Sequence, residues 1–255
     1  MSFEVLRRLS IRSHHRTIAP EPGGKLNLLL TSAGIKNPSI ERALVELLGK
    51  PIAESSALCV PTAAYAMDGG ARSAYRLITG QSVVTLCELD WKSLGVLELT
   101  ALPSIDAENW VSLVRETDAL LVGGGDALYL CHWMRQSGLA DLLPSLHETV
   151  YVGASAGSMV MAPGIGQDFV DSYSWKPPTG DTSTLGVVDF SIFPHLGHKS
   201  LPENTMACAE KWATGIPGPA YAIDDDTAIK VAGGSVEVVS DGHWRHFPGQ
   251  HDEAR

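Results

Sequence analysis

Tyr151-Val152-Gly153-Ala154-Ser155-Ala156-Gly157-Ser158-Met159-Val160-Met161 reads as a strand that meets a corner of small residues and leaves it as a helix. A sharp strand-to-helix turn of this composition lifts one side chain clear of the backbone. Its neighbours must be small because the turn is strained and crowded. In this Gly-x-Ser-x-Gly pattern the raised side chain is Ser155. The N–H groups opening the following helix have no intrahelical acceptor and point towards that hydroxyl, where negative charge would develop in acyl transfer. A close-packed junction with no chemistry uses the same residue types, so the surrounding sequence has to decide.

Working outward, short apolar runs alternate with longer helical patterns. Strands are expected at 26–31, 57–60, 83–86, 119–122 and 150–152, with helices at 38–48, 71–78, 106–115 and 127–136. Asn37-Pro38 is a good helix start, with proline in the first turn. Fully apolar strands alternating with helices predict an α/β fold, a mostly parallel sheet with helices on both faces and the elbow after a central strand. Beyond residue 165 the rhythm changes. A polar stretch over 166–186 reads as a long loop, 187–193 as a strand, and Ser200-Leu201-Pro202-Glu203 as a capping box opening a helix to about residue 213. Short strands at 220–223, 228–231 and 236–239 follow, the last two joined by Gly233-Gly234. With no internal repeat and no linker, residues 25–248 are expected to form a single domain, flanked by a loosely ordered arm (1–24) and a tail (249–255).

The bulk composition narrows the function classes. Of 255 residues, 44% are hydrophobic, enough for a sizeable core, and no apolar run approaches the length of a membrane span. The net charge of −10 disfavours nucleic acid and anionic membrane as partners. The N-terminal stretch carries Arg7, Arg8, Arg12 and Arg16 but no long apolar region, so it does not read as a secretory signal. Cys59, Cys87, Cys131 and Cys208 are scattered, which fits free thiols in a reducing cytoplasm rather than a disulfide or zinc framework. The nine histidines lack a metalloprotease spacing, and neither a metal nor another cofactor is expected.

Ligand sites in open parallel sheets lie beyond the carboxyl ends of the strands. Three segments are expected there: Gly123-Gly124-Gly125-Asp126, the elbow, and Phe193-Pro194-His195. The glycine run lets backbone N–H groups approach a ligand with no Cβ in the way. Gly124 is the candidate to pair with Ala156 as an oxyanion hole, and Gly125 and Asp126 are candidates for substrate binding. A phosphate cradle uses similar glycines, but neither the Gly-x-Gly-x-x-Gly order nor a P-loop lysine is present. A serine hydroxyl needs a base, and His195 after a strand and a proline is the candidate, with His198 beside it as a pocket-lining residue. A carboxylate should orient the imidazole. Asp225, in Asp224-Asp225-Asp226 after a strand, ranks ahead of Asp171 in the polar loop, because a strand end is the more rigid mount.

Together these residues resemble the dipeptidase E and cyanophycinase family of serine peptidases. The matches are Val-Gly-Gly-Gly-Asp (122–126), Gly-Ala-Ser-Ala-Gly-Ser (153–158), Pro-Pro (177–178), Phe-Pro-His (193–195), Leu-Pro-Glu (201–203) and Ile-Asp-Asp-Asp-Thr-Ala (223–228), in family order across residues 26–240. The resemblance implies a class I glutamine amidotransferase-like fold, with Ser155 as nucleophile, His195 as base and the Gly124 and Ala156 amides as oxyanion hole. It places the acid either at Asp225, where the family carries glutamate, or at Asp171, before the Pro-Pro pair. It further implies hydrolysis of a small peptide substrate by a cytoplasmic dipeptidase or exopeptidase, with a homodimer as an allowed assembly. The aspartyl dipeptidases of the family hold an acidic side chain with a basic residue. The helix expected after 201–203 has no arginine, so Lys176, Lys199 or Lys211 would have to take its place. Amidotransferase relatives carry cysteine at the elbow, so serine disfavours glutamine amide transfer. Two other readings stand beside this one: hydrolysis of another small amide, isopeptide or ester, and a non-catalytic binder of a small molecule.

Overall fold

A computed structural model describes residues 25–249; the expected arm (1–24) and all but the first residue of the expected tail lie outside the described residues. The described residues begin with β1 (Asn27–Thr31), α1 (Pro38–Leu48), β2 (Ser56–Val60), α2 (Gly70–Ile78), β3 (Ser93–Val96), α3 (Glu108–Arg115) and β4 (Ala119–Val122). It continues through α4 (Ala127–Ser137), α5 (Leu139–Leu142), β5 (Val150–Ala154), α6 (Ala156–Met159), α7 (Gln167–Ser172), β6 (Ser191–Phe193) and α8 (Met206–Thr214). It closes with β7 (Ala220–Ile223), β8 (Thr227–Ala232), β9 (Ser235–Ser240) and β10 (Trp244–Phe247).

Seven strands form one sheet in the order β3-β2-β4-β5-β1-β8-β9. The first five run parallel, whereas β8 and β9 are antiparallel to their neighbours. The central strands β1, β2, β4 and β5 are apolar on both faces because each face is covered, and the period of two sorts their side chains between two cores. Leu28, Leu30, Leu58, Val60, Leu120, Val122 and Tyr151 join the core that includes α4 residues such as Leu130 and Met134. Leu29, Cys59, Leu121 and Val152 join the other, with Ile40 and Leu44 of α1. Truncating a fully buried member such as Leu29 to alanine should cost about 2–5 kcal/mol. The mostly parallel sheet flanked by helices is therefore the architecture that the strand pattern predicts.

Several local expectations are corrected. The third strand is not 83–86 but Ser93–Val96, an edge strand exposed along most of its length and so lacking an apolar signature. The earlier run plugs the core instead, with Leu86 fully buried, while Thr85 exchanges backbone hydrogen bonds with the turn after β1 (Ile35 N to Thr85 O, 2.8 Å; Thr85 N to Ala33 O, 3.2 Å). Only Ser191–Phe193 of the expected 187–193 strand pairs, because the N–H groups of Val187 and Val188 donate to the carbonyl of Met161. The expected capping box does not open a helix. Residues 197–204 form turns, and the cap of α8 is Thr205, whose hydroxyl accepts the N–H of Cys208 at 3.2 Å. The expected long loop contains α7, and an exposed strand, β10, pairs with β7 in a second, three-stranded sheet, β10-β7-β6.

Candidate active site

The carboxyl ends of β4, β5 and β1 lie side by side at the centre of the sheet, and they lead into the glycine run, the elbow and Ser32. β5 ends at Ala154, and Ser155 takes φ 51°, ψ −115° before α6 starts, a backbone conformation that L-residues avoid. The turn holds because its contacts leave no alternative. The Ser155 N–H donates to the carbonyl of Thr31 at 3.1 Å, and the Ser155 carbonyl accepts from Ser158 and Met159 at 2.8 and 2.9 Å. A Cβ on Gly157 would collide with the carbonyl of Val122, and one on Gly153 would stand 2.6 Å from the carbonyl of Gly157. The small residues of the Gly-x-Ser-x-Gly pattern are thus demanded by close backbone packing.

Gly124 flanks the serine. A Cβ there would stand 3.2 Å from Ser155 Cβ and 3.7 Å from Ser155 Oγ. The neighbouring amides are taken, since Gly123 N–H donates to Val60 and Asp126 N–H to Ala63, each at 3.0 Å. Gly125, at φ 142°, passes so close to Ala63 that a side chain would strike its carbonyl. Ala156, fully buried, is the first residue of α6, where helix N–H groups lack intrahelical acceptors. Asp126 is not presented to a ligand. It is fully buried as the cap of α4, its Oδ1 accepting from the N–H groups of Leu128 and Tyr129 at 2.8 and 2.9 Å. Burial raises its pKa, which those two hydrogen bonds only partly offset.

His195 follows β6 and Pro194, itself at φ 58°. Its Nδ1 lies 2.8 Å from Asp225 Oδ1, in the loop between β7 and β8. An ionised carboxylate only accepts, so the proton of this hydrogen bond belongs to Nδ1, and in the neutral imidazole Nε2 is the nitrogen with the free lone pair. Burial raises the Asp225 pKa, but the hydrogen bond and charge of His195, with the Ser32 hydroxyl and the charge of His198, outweigh it and hold the carboxyl below its ordinary value. The acids around it do other work. Asp224 accepts from Thr227 Oγ1 at 2.7 Å and from the N–H groups of Asp226 and His243, and Asp226 is exposed. Asp171 is exposed on α7, its Oδ1 accepting from Gln167 Nε2 at 2.7 Å. The structure brings Asp225, not Asp171, to His195.

His198 Nε2 stands 3.7 Å from Asp225 Oδ2, beyond hydrogen-bond range. With Lys199 it lines an open groove of about 500 Å³ beside Asp225. The other two lysines lie elsewhere: Lys176 bonds to the carbonyl of Val170, and Lys211 is exposed in the last turn of α8. One residue of this centre escaped the sequence reading. Ser32, immediately after β1, is fully buried and bonded to both His195 and Asp225. Its position at the carboxyl end of an apolar strand was the available signal.

The chain matches the model of Peptidase family S51 over residues 28–239. It is 26% identical over 239 residues to "Peptidase E" of Shewanella denitrificans, an alignment covering 89% of this chain and 92% of the relative. It is also 26% identical over 147 residues to "Uncharacterized peptidase PM1590" of Pasteurella multocida, and spans about 65% of that relative's length. Among solved structures, a peptidase from an acI-B1 Actinobacterium shares the fold with a TM-score of 0.64 at 19% identity, covering 89% of this chain and 96% of that one. Together, the match over most of the chain and the peptidase E relatives show that it belongs to peptidase family S51, the serine-type peptidases of the dipeptidase E kind that its motifs resemble.

Proposed function

We propose that this chain hydrolyses short peptides as a dipeptidase or exopeptidase through a Ser155–His195–Asp225 triad. The observation that carries the reading is the 2.8 Å pairing of His195 with Asp225 at the sheet end where strained Ser155 sits against Gly124. In the mechanism, His195 Nε2 takes the Ser155 proton as Oγ attacks the scissile carbonyl. The amides of Gly124 and Ala156 hold the oxyanion, and Asp225 stabilises the imidazolium through Nδ1–H. The imidazolium then protonates the leaving amine, giving an acyl-enzyme. Water, deprotonated by His195, attacks the ester, and Ser155 leaves with its proton restored.

The groove beside Asp225 carries Lys199 and His198 but also Asp224, Asp225 and Asp226, and α8 has no arginine, so the substrate side chain is left to the assay. Residues 25–248 act as one catalytic unit in this reading. The buried free thiols of Cys59, Cys87 and Cys131 support a reducing, cytoplasmic setting. The full chain should be assayed against Asp-x, Glu-x and neutral dipeptides, N-acetylated counterparts and p-nitrophenyl esters. Release of amino acids from free dipeptides, blocked by N-acetylation, is the expected result, and the relative rates for Asp-x, Glu-x and neutral dipeptides give the side-chain preference. Ester hydrolysis without peptide cleavage would replace the peptidase reading, and binding without turnover of any substrate would replace catalysis altogether.

A further inference from the structure

The two halves of the proposed triad hang from two consecutive residues at the end of β1. Thr31 holds the elbow. Its carbonyl accepts from the Ser155 N–H at 3.1 Å and from Ser158 Oγ at 2.7 Å, and its hydroxyl donates to the carbonyl of Gly153 at 2.8 Å. Ser32, the next residue, holds the other half. Its Oγ accepts the His195 backbone N–H at 2.6 Å, donates to Asp225 Oδ1 at 3.1 Å and lies 3.3 Å from His195 Nδ1.

The donor count at this oxygen is closed. A hydroxyl has one proton, and the carboxylate is the only one of these partners that must receive it, since the His195 N–H and Nδ1–H both carry their own. The Asp225 Oδ1 thus takes one hydrogen bond from the imidazole and one from Ser32. Ser32 is fully buried, so water does not compete for its hydroxyl. Its bond to the His195 N–H also secures a residue whose φ of 58° is unfavourable for a side chain larger than glycine. A serine that merely filled the core would satisfy its hydroxyl on a nearby carbonyl. This one spends both its donor and its acceptor capacity on residues 163 and 193 positions away.

We propose that Ser32 is a positioning residue, which fixes His195 and Asp225 in register with Ser155 by tying them to the strand end that anchors the elbow. The proposal rests on the triad reading. It makes the Thr31-Ser32 dipeptide the piece that converts two separately mounted halves into one site, with no contact to the substrate.

The test compares wild type with Ser32→Ala and the near-isosteric Ser32→Cys, whose thiol is a weak donor and acceptor. The readouts are kcat, KM, thermal midpoint and the rate at which a fluorophosphonate labels Ser155. The expected outcome is kcat and labelling lowered in the order Ser, Cys, Ala, reaching about 10–100-fold for alanine, with KM within about threefold because positioning acts on the reacting geometry. Wild-type kcat and labelling in folded Ser32→Ala would overturn the proposal. If the alanine variant does not fold, Ser32→Cys decides: lowered kcat at unchanged KM supports positioning, and unchanged kcat overturns it. Failure of the triad reading looks different, since wild type itself would then not be labelled.

Discussion

His195 Nδ1 and Asp225 Oδ1 stand 2.8 Å apart, joining a loop after the small sheet to the loop that leads into the antiparallel edge of the large one. The pair fixes which imidazole nitrogen keeps its lone pair. Replacing Asp225 by asparagine would retain the shape and present the wrong tautomer. We expect kcat of Asp225→Asn to fall by about 10⁴-fold, as for the equivalent change in a Ser-His-Asp protease. Asp171→Asn should stay within about twofold of wild type, because Asp171 is exposed and, among the described residues, bonds to Gln167 on its own helix. Steady-state assays of the two variants check this directly.

The same pair predicts a pH dependence of stability. The Asp225 carboxyl is held below its ordinary value in the fold, so it contributes stability above its unfolded pKa of about 4 and loses it as pH falls through the folded pKa. Thermal midpoints of wild type and Asp225→Asn, measured from pH 7 to pH 3, should differ most at neutral pH and converge in acid. A gap that widens on acidification would contradict the sign of the shift.

Gly124 leaves almost no room beside the elbow. A methyl group there would press on Ser155 Cβ at 3.2 Å and push the hydroxyl from its place. Gly124→Ala should therefore lower kcat by about 10²-fold while far-UV circular dichroism remains that of wild type. Retained kcat would show that the hydroxyl does not react beside this backbone.

Asp126 should prove a structural cap. Its raised pKa means that the ionised form is disfavoured in the fold, a cost that appears as pH rises above the unfolded value of about 4. Asparagine keeps an oxygen for the Leu128 and Tyr129 N–H groups and carries no charge. Asp126→Asn should match or exceed wild-type stability at pH 7, whereas Asp126→Ala should lose about 0.5–2 kcal/mol in denaturant titrations.

The central sheet was legible because its strands are buried on both faces and therefore apolar throughout, as in Leu28-Leu29-Leu30 and Leu120-Leu121-Val122. β3 and β10 were not, because both are largely exposed and carry no apolar alternation. The Ser-x-x-Glu spacing at 200–203 misled because Thr205-x-x-Cys208 supplies the real cap, while Asn204 Nδ2 bonds back to the carbonyl of Pro194 beside the His195 turn. At the site, the strained elbow demanded small residues and so announced itself. Asp225 could be ranked but not chosen, since its pairing depends on bringing together residues 30 positions apart. Ser32 offered only its place at the end of an apolar strand, because its partners lie 163 and 193 residues away.

The central claim is that Ser155 carries an activated hydroxyl. Incubating the full chain with a fluorophosphonate and mapping the adduct by peptide mass spectrometry tests it most directly. The account predicts one adduct, on Ser155, absent from Ser155→Ala and slowed by at least about 10³-fold in His195→Ala. An unlabelled Ser155 in wild-type protein that cleaves dipeptides, or equal labelling with and without His195, would contradict it.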